Sequence, residues 1–421
     1  MERYCQTGSY IPMQNTDKEK TMTKPKSLIS GWVLLLLVAM YTIAYNNTFR
    51  AVSLLWYGIS AAAILVLAAL IFFNRIKGKM SFFVGWATAF FLFCILSCLW
   101  SLETEPAFAS LRTLFLIFVV HILLAELIID KKDLDKIIFA NFLALLFVAL
   151  YILFAMDLSQ IGEDRIGSAT LDRYWNANDI GLKMCVGLGF SLYFLIKSKG
   201  KWKRLFCLVC SVLFVILGLF TGSRKALLMI MFIIVLLFWL KAKKHRFLVL
   251  LLALAAAVGL YFLTINIEPL YNVLGYRMEE MVDGLFKGGT TDQSFNQRQA
   301  MIDRGWKWFL KKPFLGYGLS NFSVLHRELF GWETYAHNNF IEILVSGGIV
   351  GFALYYSIYV YIFVKLWRLV FKEKDLTAII LFSLNICTLV LQIALVSFAT
   401  TLFNVLLMLG VVYVKLNRRK S

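Results

Sequence analysis

The sequence predicts an all-α polytopic membrane protein, with about 12 transmembrane helices and one long extracytoplasmic loop. Three observations predict it. Apolar residues make up 60% of the 421 and charged residues 16%, with a mean hydropathy of +0.74. Apolar runs of about 20 residues, each long enough to cross a bilayer, recur from end to end. Lys and Arg gather in short connections that alternate along the chain, the positive-inside pattern that orients membrane proteins.

Taken in order, residues 1–27 are polar and precede the first apolar run by too much to be a cleavable signal peptide. They read as a disordered cytoplasmic tail. Apolar spans follow over roughly 28–45, 51–73, 81–99, 109–129, 137–156, 175–196, 205–220, 224–240 and 247–266, so that 28–266 holds nine helices. Residues 267–336 form the long loop. Three more spans, 337–363, 376–396 and 399–414, occupy 337–414, and 415–421 is a second tail. The basic connections are Arg75, Lys77 and Lys79; Lys131, Lys132 and Lys136; Lys197 to Arg204; Lys241 to Arg246; Lys365 to Lys374; and Lys415 to Lys420. With the N-terminus inside, every one of them falls on the cytoplasmic side, as does the C-terminus. No internal repeat is visible, which disfavours a transporter built from inverted repeats.

The net charge of +18 is therefore spent on topology, and nucleic acid is not expected as a partner. The cysteines avoid the long loop, which argues against a disulfide scaffold. Cys207 and Cys210 have C-x-x-C spacing but lie inside an apolar run, as small buried hydrophobes do. There is no phosphate-binding loop, no H-E-x-x-H and no cluster with metal-ligand spacing. No metal and no cofactor is expected.

Two segments face the other side: Asp157 to Tyr174, and Ile267 to Ala336. The second carries eight basic and eight acidic residues, so it is no simple cationic patch. Its stretch from Arg298 to Leu310 is amphipathic, with Trp306, Trp308 and Phe309, and reads as an interfacial helix. Pro313, Gly316 and Gly318 then break the pattern into a turn.

Polar anomalies converge on that face. Three spans begin with Trp175-Asn176-Ala177-Asn178-Asp179, with Thr221-Gly222-Ser223-Arg224-Lys225, and with Ala336-His337-Asn338-Asn339. Helix N-termini offer free N–H groups and a positive dipole end, and so favour anions. Thr221 or Ser223 is placed to cap the eighth span. Arg224 has the planar fork that grips phosphate; Lys225 reads as a headgroup anchor. His337 is one of four histidines, and an imidazole suits a general base near neutrality. Glu342 shares a helical face with Asn338. Arg165 and Arg173 flank the shorter loop. Arg298, Arg304, Lys307, Lys311 and Lys312 belong to the long one.

These residues carry a family resemblance. Thr221-Gly222-Ser223-Arg224, the run Arg298…Trp306…Pro313…Gly316-Tyr317-Gly318…Phe322, and Ala336-His337-Asn338-Asn339…Glu342…Gly347-Gly348-Ile349-Val350-Gly351 resemble the bacterial O-antigen ligase and O-antigen polymerase superfamily. Asn176-Ala177-Asn178 is similar to its Asn-Pro-Asn, with Ala177 in place of proline. The resemblance implies a metal-independent glycosyltransferase of the bacterial cytoplasmic membrane, with its active site on the outer face. The implied donor is a glycan on undecaprenyl diphosphate. The implied acceptor hydroxyl belongs to another lipid-linked glycan, to lipid A core or to a protein. A polymerase of surface or capsular polysaccharide is the reading taken, with a ligase as the alternative and a polysaccharide or lipid transporter as the alternative of another class. By resemblance Arg224 and Arg298 meet the diphosphate and His337 the acceptor. Arg165, Asn178, Arg304, Asn338 and Glu342 complete the expected substrate-binding set.

Overall fold

The computed structural model describes residues 27–74, 80–157, 162–163, 165–167, 170–171, 173–242, 244–287 and 293–418. The expected tail over 1–26 with its Cys5, the basic connection 75–79, and Lys420 lie outside the described residues. The elements run in order as α1 (Gly31–Tyr45), α2 (Asn47–Ala51), α3 (Ser53–Phe73), α4 (Phe82–Ser97), α5 (Glu105–Leu127) and α6 (Lys131–Ala155). Next come α7 (Ala177–Lys197), α8 (Lys201–Phe220), α9 (Arg224–Lys241) and α10 (Arg246–Asn266). The long loop holds α11 (Glu268–Leu270), a π-turn over Tyr271–Gly275, α12 (Tyr276–Lys287), α13 (Gln293–Lys311) and α14 (Phe322–Phe330). The chain closes with α15 (Asn339–Phe371), α16 (Leu376–Leu391) and α17 (Thr401–Arg418). No strand occurs among the described residues.

This is the all-α polytopic membrane class that the composition predicts. Among the described residues eight helices are long and apolar enough to cross a bilayer: α3, α4 with its final turn, α5, α6, α7, α8, α10 and α15. The helices α1, α16 and α17 are apolar and shorter. Helix α9 has 18 residues and carries Arg224, Lys225 and Lys241 at its ends. Large apolar side chains such as Trp32, Leu54 and Phe154 stand exposed on the outside of the bundle, as expected where lipid is the solvent. Helix α7 lies at the centre, its residues from Ile180 to Tyr193 all buried. Helix α10 is its opposite, with Thr264 as its one buried residue.

The two ends of the bundle differ. At one end the basic connections pair with carboxylates and carbonyls. Lys136 donates to the Ile29 carbonyl at 2.7 Å and Lys197 to Asp135 at 2.5 Å. Lys374 donates to the Leu240 carbonyl and Lys415 to Glu126. Tyr413 joins Asp375 to Lys131. Helix caps are supplied by Ser81, Asp130 and Asp375, each worth about 1 kcal/mol. The other end gathers α2, the long loop and the α16–α17 connection.

The tenth span is not one continuous helix. Gly348 sits at φ 60°, ψ −162° inside α15 and divides it into a half-helix, 339–347, and a long helix, 349–371. A break inside the bundle frees backbone groups that have no water to meet. The turn 313–318 meets them instead. Tyr317 N–H donates to the Val345 carbonyl at 2.8 Å and Gly318 N–H to Ser346 at 2.9 Å; Ile349 N–H returns to Pro313 at 2.8 Å. Gly316 has φ 67°, and a Cβ there would meet the Val345 carbonyl; one on Gly348 would run into the Phe314 carbonyl. The glycines of both motifs thus let two backbones touch. Helix α13 seals this joint: Met301 packs with Phe322, Ile341 and Val345, while Trp306 and Leu310 stay exposed on its other face.

Candidate active site

The half-helix ends the long loop beside a cavity of about 250 Å³. Helices α7, α9 and α13, the segment 335–337 and the α16–α17 connection each supply part of its wall. Local capping explains how these elements meet. Asn176 caps α7, accepting from the Asn178 N–H. Ser223 caps α9, accepting from the Ala226 N–H, and its hydroxyl donates to Asn178 Oδ1 at 2.7 Å. One short side chain therefore starts α9 and ties it to α7.

Asn338 caps the half-helix through the Ile341 N–H and donates to the Ile393 carbonyl at 3.0 Å. Asn339 is fully buried. Its Oδ1 accepts from the N–H groups of Ser397 and Phe398, and its Nδ2 donates to Gln392 and Tyr356. The asparagine pair thus binds the α16–α17 connection to the half-helix and fixes one wall. Glu342 is buried, and its Oε2 accepts from the Ala336 N–H at 2.9 Å. It holds the turn that presents His337 rather than facing the cavity.

His337 itself stands at φ 53°, a left-handed conformation that costs a non-glycine residue of order 1–3 kcal/mol and clusters at functional sites. The cap, the Glu342 bond and the Tyr335 ring, whose centroid is 4.1 Å from that of His337, hold it there. Burial brings the imidazole down to about 4, and the charges of Arg298 and Lys225 act in the same direction. It is neutral at neutral pH.

Four cations line the cavity, Arg50, Lys183, Lys225 and Arg298, against one carboxylate, Asp179. Lys225 Nζ donates to the Ala394 carbonyl at 2.5 Å. Lys183 is buried within α7 and pairs with Asp179 at 2.6 Å. Such an excess of cations in a cleft favours a polyanion.

Of the residues expected from the sequence, His337, Arg298 and Asn178 line this cavity. Arg224 lies beside it on the flank, donating to the Arg277 carbonyl, because successive helical residues point about 100° apart. Lys225, read from sequence as an anchor, takes the cavity-facing position. Arg165 is on the same flank, donating to the Thr221 carbonyl at 2.9 Å. Burial first, then Arg277 with Arg224 and Arg298 behind it, lowers its guanidinium to about 10; it keeps its charge at neutral pH. Arg304 lies elsewhere, 3.9 Å over the Phe330 ring. Asn338 and Glu342 support the site from behind. The sequence reading did not single out Lys183, Arg50, Arg277, Tyr335 or Thr401. Asp179 and Lys183 at i, i+4 in an apolar helix were the available signal, since a buried charge in a span needs a partner.

No group of three or more His, Cys, Asp or Glu able to hold a metal occurs among the described residues. Residues 209–356 match the family model described as O-Antigen ligase. That segment contains α9, α13, the broken start of α15 and the side chains Lys225, Arg298 and His337; Asp179, Lys183 and Thr401 lie outside it. No curated protein matches the chain.

Proposed function

We propose that this chain, whose residues 209–356 match the O-antigen ligase family model, acts as a member of the O-antigen ligase/polymerase superfamily and transfers a glycan from an undecaprenyl-diphosphate donor to an acceptor hydroxyl at the outer face of the bacterial cytoplasmic membrane. The observation that carries the reading is the cavity itself. Lys225 and Arg298 stand beside a neutral His337. In the reaction the acceptor oxygen bonds to the anomeric carbon of the donor sugar. The bond from that carbon to the diphosphate breaks, and the lipid diphosphate leaves with the electron pair. Lys225 and Arg298 stabilise the negative charge on the leaving diphosphate, with Arg224, Arg165 and Arg277 on the flank. His337 takes the proton from the acceptor hydroxyl. The charges supply what a metal would, so turnover in chelator is expected.

The acceptor we take is a second lipid-linked glycan, which makes the product a surface or capsular polysaccharide. Products then form a ladder; a single addition to lipid A core or to protein indicates a ligase. A transporter is less well supported, because the cavity's charges sit at one end of the bundle instead of along a path through it.

The test is His337→Ala in purified full-length protein. Removing a general base typically costs about 10²–10⁴-fold in rate. Turnover should fall by that factor while the donor still binds, because the cations remain. Loss of donor binding would move His337 to donor recognition, and wild-type turnover would overturn its role.

A further inference from the structure

The cavity has two walls of different chemistry. One part of its lining, from α9 and the long loop, offers Lys225, Arg298 and His337. Another part, from α7 and α17, holds a carboxylate with an unused oxygen beside Lys183 and Arg50. Asp179 receives two hydrogen bonds, from Lys183 at 2.6 Å and Asn47 at 2.8 Å, and both go to Oδ2. Oδ1 takes none among the described residues, and the side chain is 39% exposed. Arg50 is close enough for its charge to act on both Asp179 and Lys183. Thr401 lines the same cavity while only 4% exposed, and its hydroxyl has no hydrogen-bond partner among the described residues. Buried polar atoms are normally paired, so an orphan hydroxyl on a residue that lines a cavity calls for an explanation, and a ligand atom is one.

We propose that this wall is the acceptor-glycan subsite, in which Asp179 Oδ1 accepts a hydrogen bond from a sugar hydroxyl and the Thr401 hydroxyl meets a second one. The subsite deepens the transferase reading and rests on it. A diphosphate has no hydrogen to give Asp179 Oδ1, so that oxygen selects a ligand that donates. A polyol is the ligand class that supplies hydroxyl donors without negative charge. Lys183 and Asn47 hold the carboxylate in place through Oδ2, which leaves its free oxygen aimed by the pair instead of by solvent. Tyr335 links the two parts: it lines the cavity, packs its ring at a tilt against His337 and feels the charges of both Arg298 and Asp179.

The experiment uses full-length protein in nanodiscs and two probes. One is undecaprenyl diphosphate, which has no sugar. The other is the free oligosaccharide released by mild acid from the producing cell's own lipid-linked pool, which has no diphosphate. Asp179→Ala should weaken oligosaccharide binding roughly 10- to 100-fold, the loss expected for a hydrogen bond to a charged group, and leave undecaprenyl diphosphate binding unchanged. Arg298→Ala should do the reverse. Asp179→Ala also leaves Lys183 unpaired, so the double variant Asp179→Ala/Lys183→Met is measured beside it, with thermal unfolding of each. Persistent loss of oligosaccharide binding in the double variant supports the subsite. Recovery in the double variant would overturn it, since Asp179 would then serve only to neutralise Lys183. Wild-type oligosaccharide affinity in Asp179→Ala would overturn it as well. So would a wild type that binds undecaprenyl diphosphate and not the oligosaccharide, an outcome that leaves the transferase reading standing. A wild type that binds no undecaprenyl diphosphate would sink that reading, and the subsite with it.

Discussion

His337 shows how much of a residue's chemistry is set by its neighbours. An ordinary imidazole would lose its basic form below about pH 6.5. Here burial, then Arg298 and Lys225, hold the value at about 4. The sign follows: a lowered value keeps the ring neutral to lower pH, so inactivation by its protonation moves toward pH 4. In free enzyme, reported by kcat/KM, the acid limb should therefore fall near pH 4. A bound diphosphate offsets the like charges of Arg298 and Lys225, so the limb of kcat should lie at higher pH than that of kcat/KM. Rate profiles from pH 4 to 8 check this. An acid limb of kcat/KM at pH 6–6.5 would show that His337 is not the group that titrates.

At the scale of elements, the broken helix α15 is the main device. A half-helix inside a membrane protein is stable only where its freed backbone is paired. The turn 313–318 does this through contacts that require glycine on both sides. Gly348→Ala adds a Cβ at φ 60° against the Phe314 carbonyl. A backbone at φ 60°, ψ −162° is essentially glycine's alone and costs any other residue about 1–3 kcal/mol, and the collision adds to it. Gly331 is the matched control. It caps α14 at φ 80° but has open space where a Cβ would go. Gly348→Ala should lower the unfolding temperature in detergent well below that of Gly331→Ala and abolish turnover, because the half-helix carries the His337 turn. Equal stability of the two variants would show that the joint is not tight.

For the whole molecule, the basic connections meet at one end and the cavity lies at the other. On the proposed reading, in which the basic connections are cytoplasmic, the cavity opens at the outer face. A reporter fused after Lys201 should be cytoplasmic, and one fused after Lys287 should be outside. Both on one side would remove the cavity from the leaflet where a lipid-linked glycan is expected. The exposed aromatic face of α13, with Trp306, fits the headgroup level on that side.

The sequence by itself determined the class and the rough places of the helices, because the bilayer imposes one rule on every span: about 20 apolar residues with the backbone bonded internally. It also marked the polar starts of α7, α9 and α15, since polar residues at such boundaries stand out against an apolar chain. What each polar residue touches was decided only by tertiary structure. Arg224 and Lys225 are adjacent in sequence, yet one faces the flank and the other the cavity, a matter of helix rotation that no local pattern fixes. Asn338 and Glu342, expected among the substrate-binding residues, hydrogen-bond in the folded chain to the α16–α17 connection and to the His337 turn. The glycines of 316–318 and 347–348 meet across about 30 residues of sequence, so their joint is invisible until the chain is folded. Asp179 and Thr401 come from α7 and α17, far apart in the chain, and share a wall only because α7 occupies the centre of the bundle. Partition into lipid is additive along the sequence and can be read from it; the geometry of a site depends on which faces pack together, and packing is a property of the whole chain.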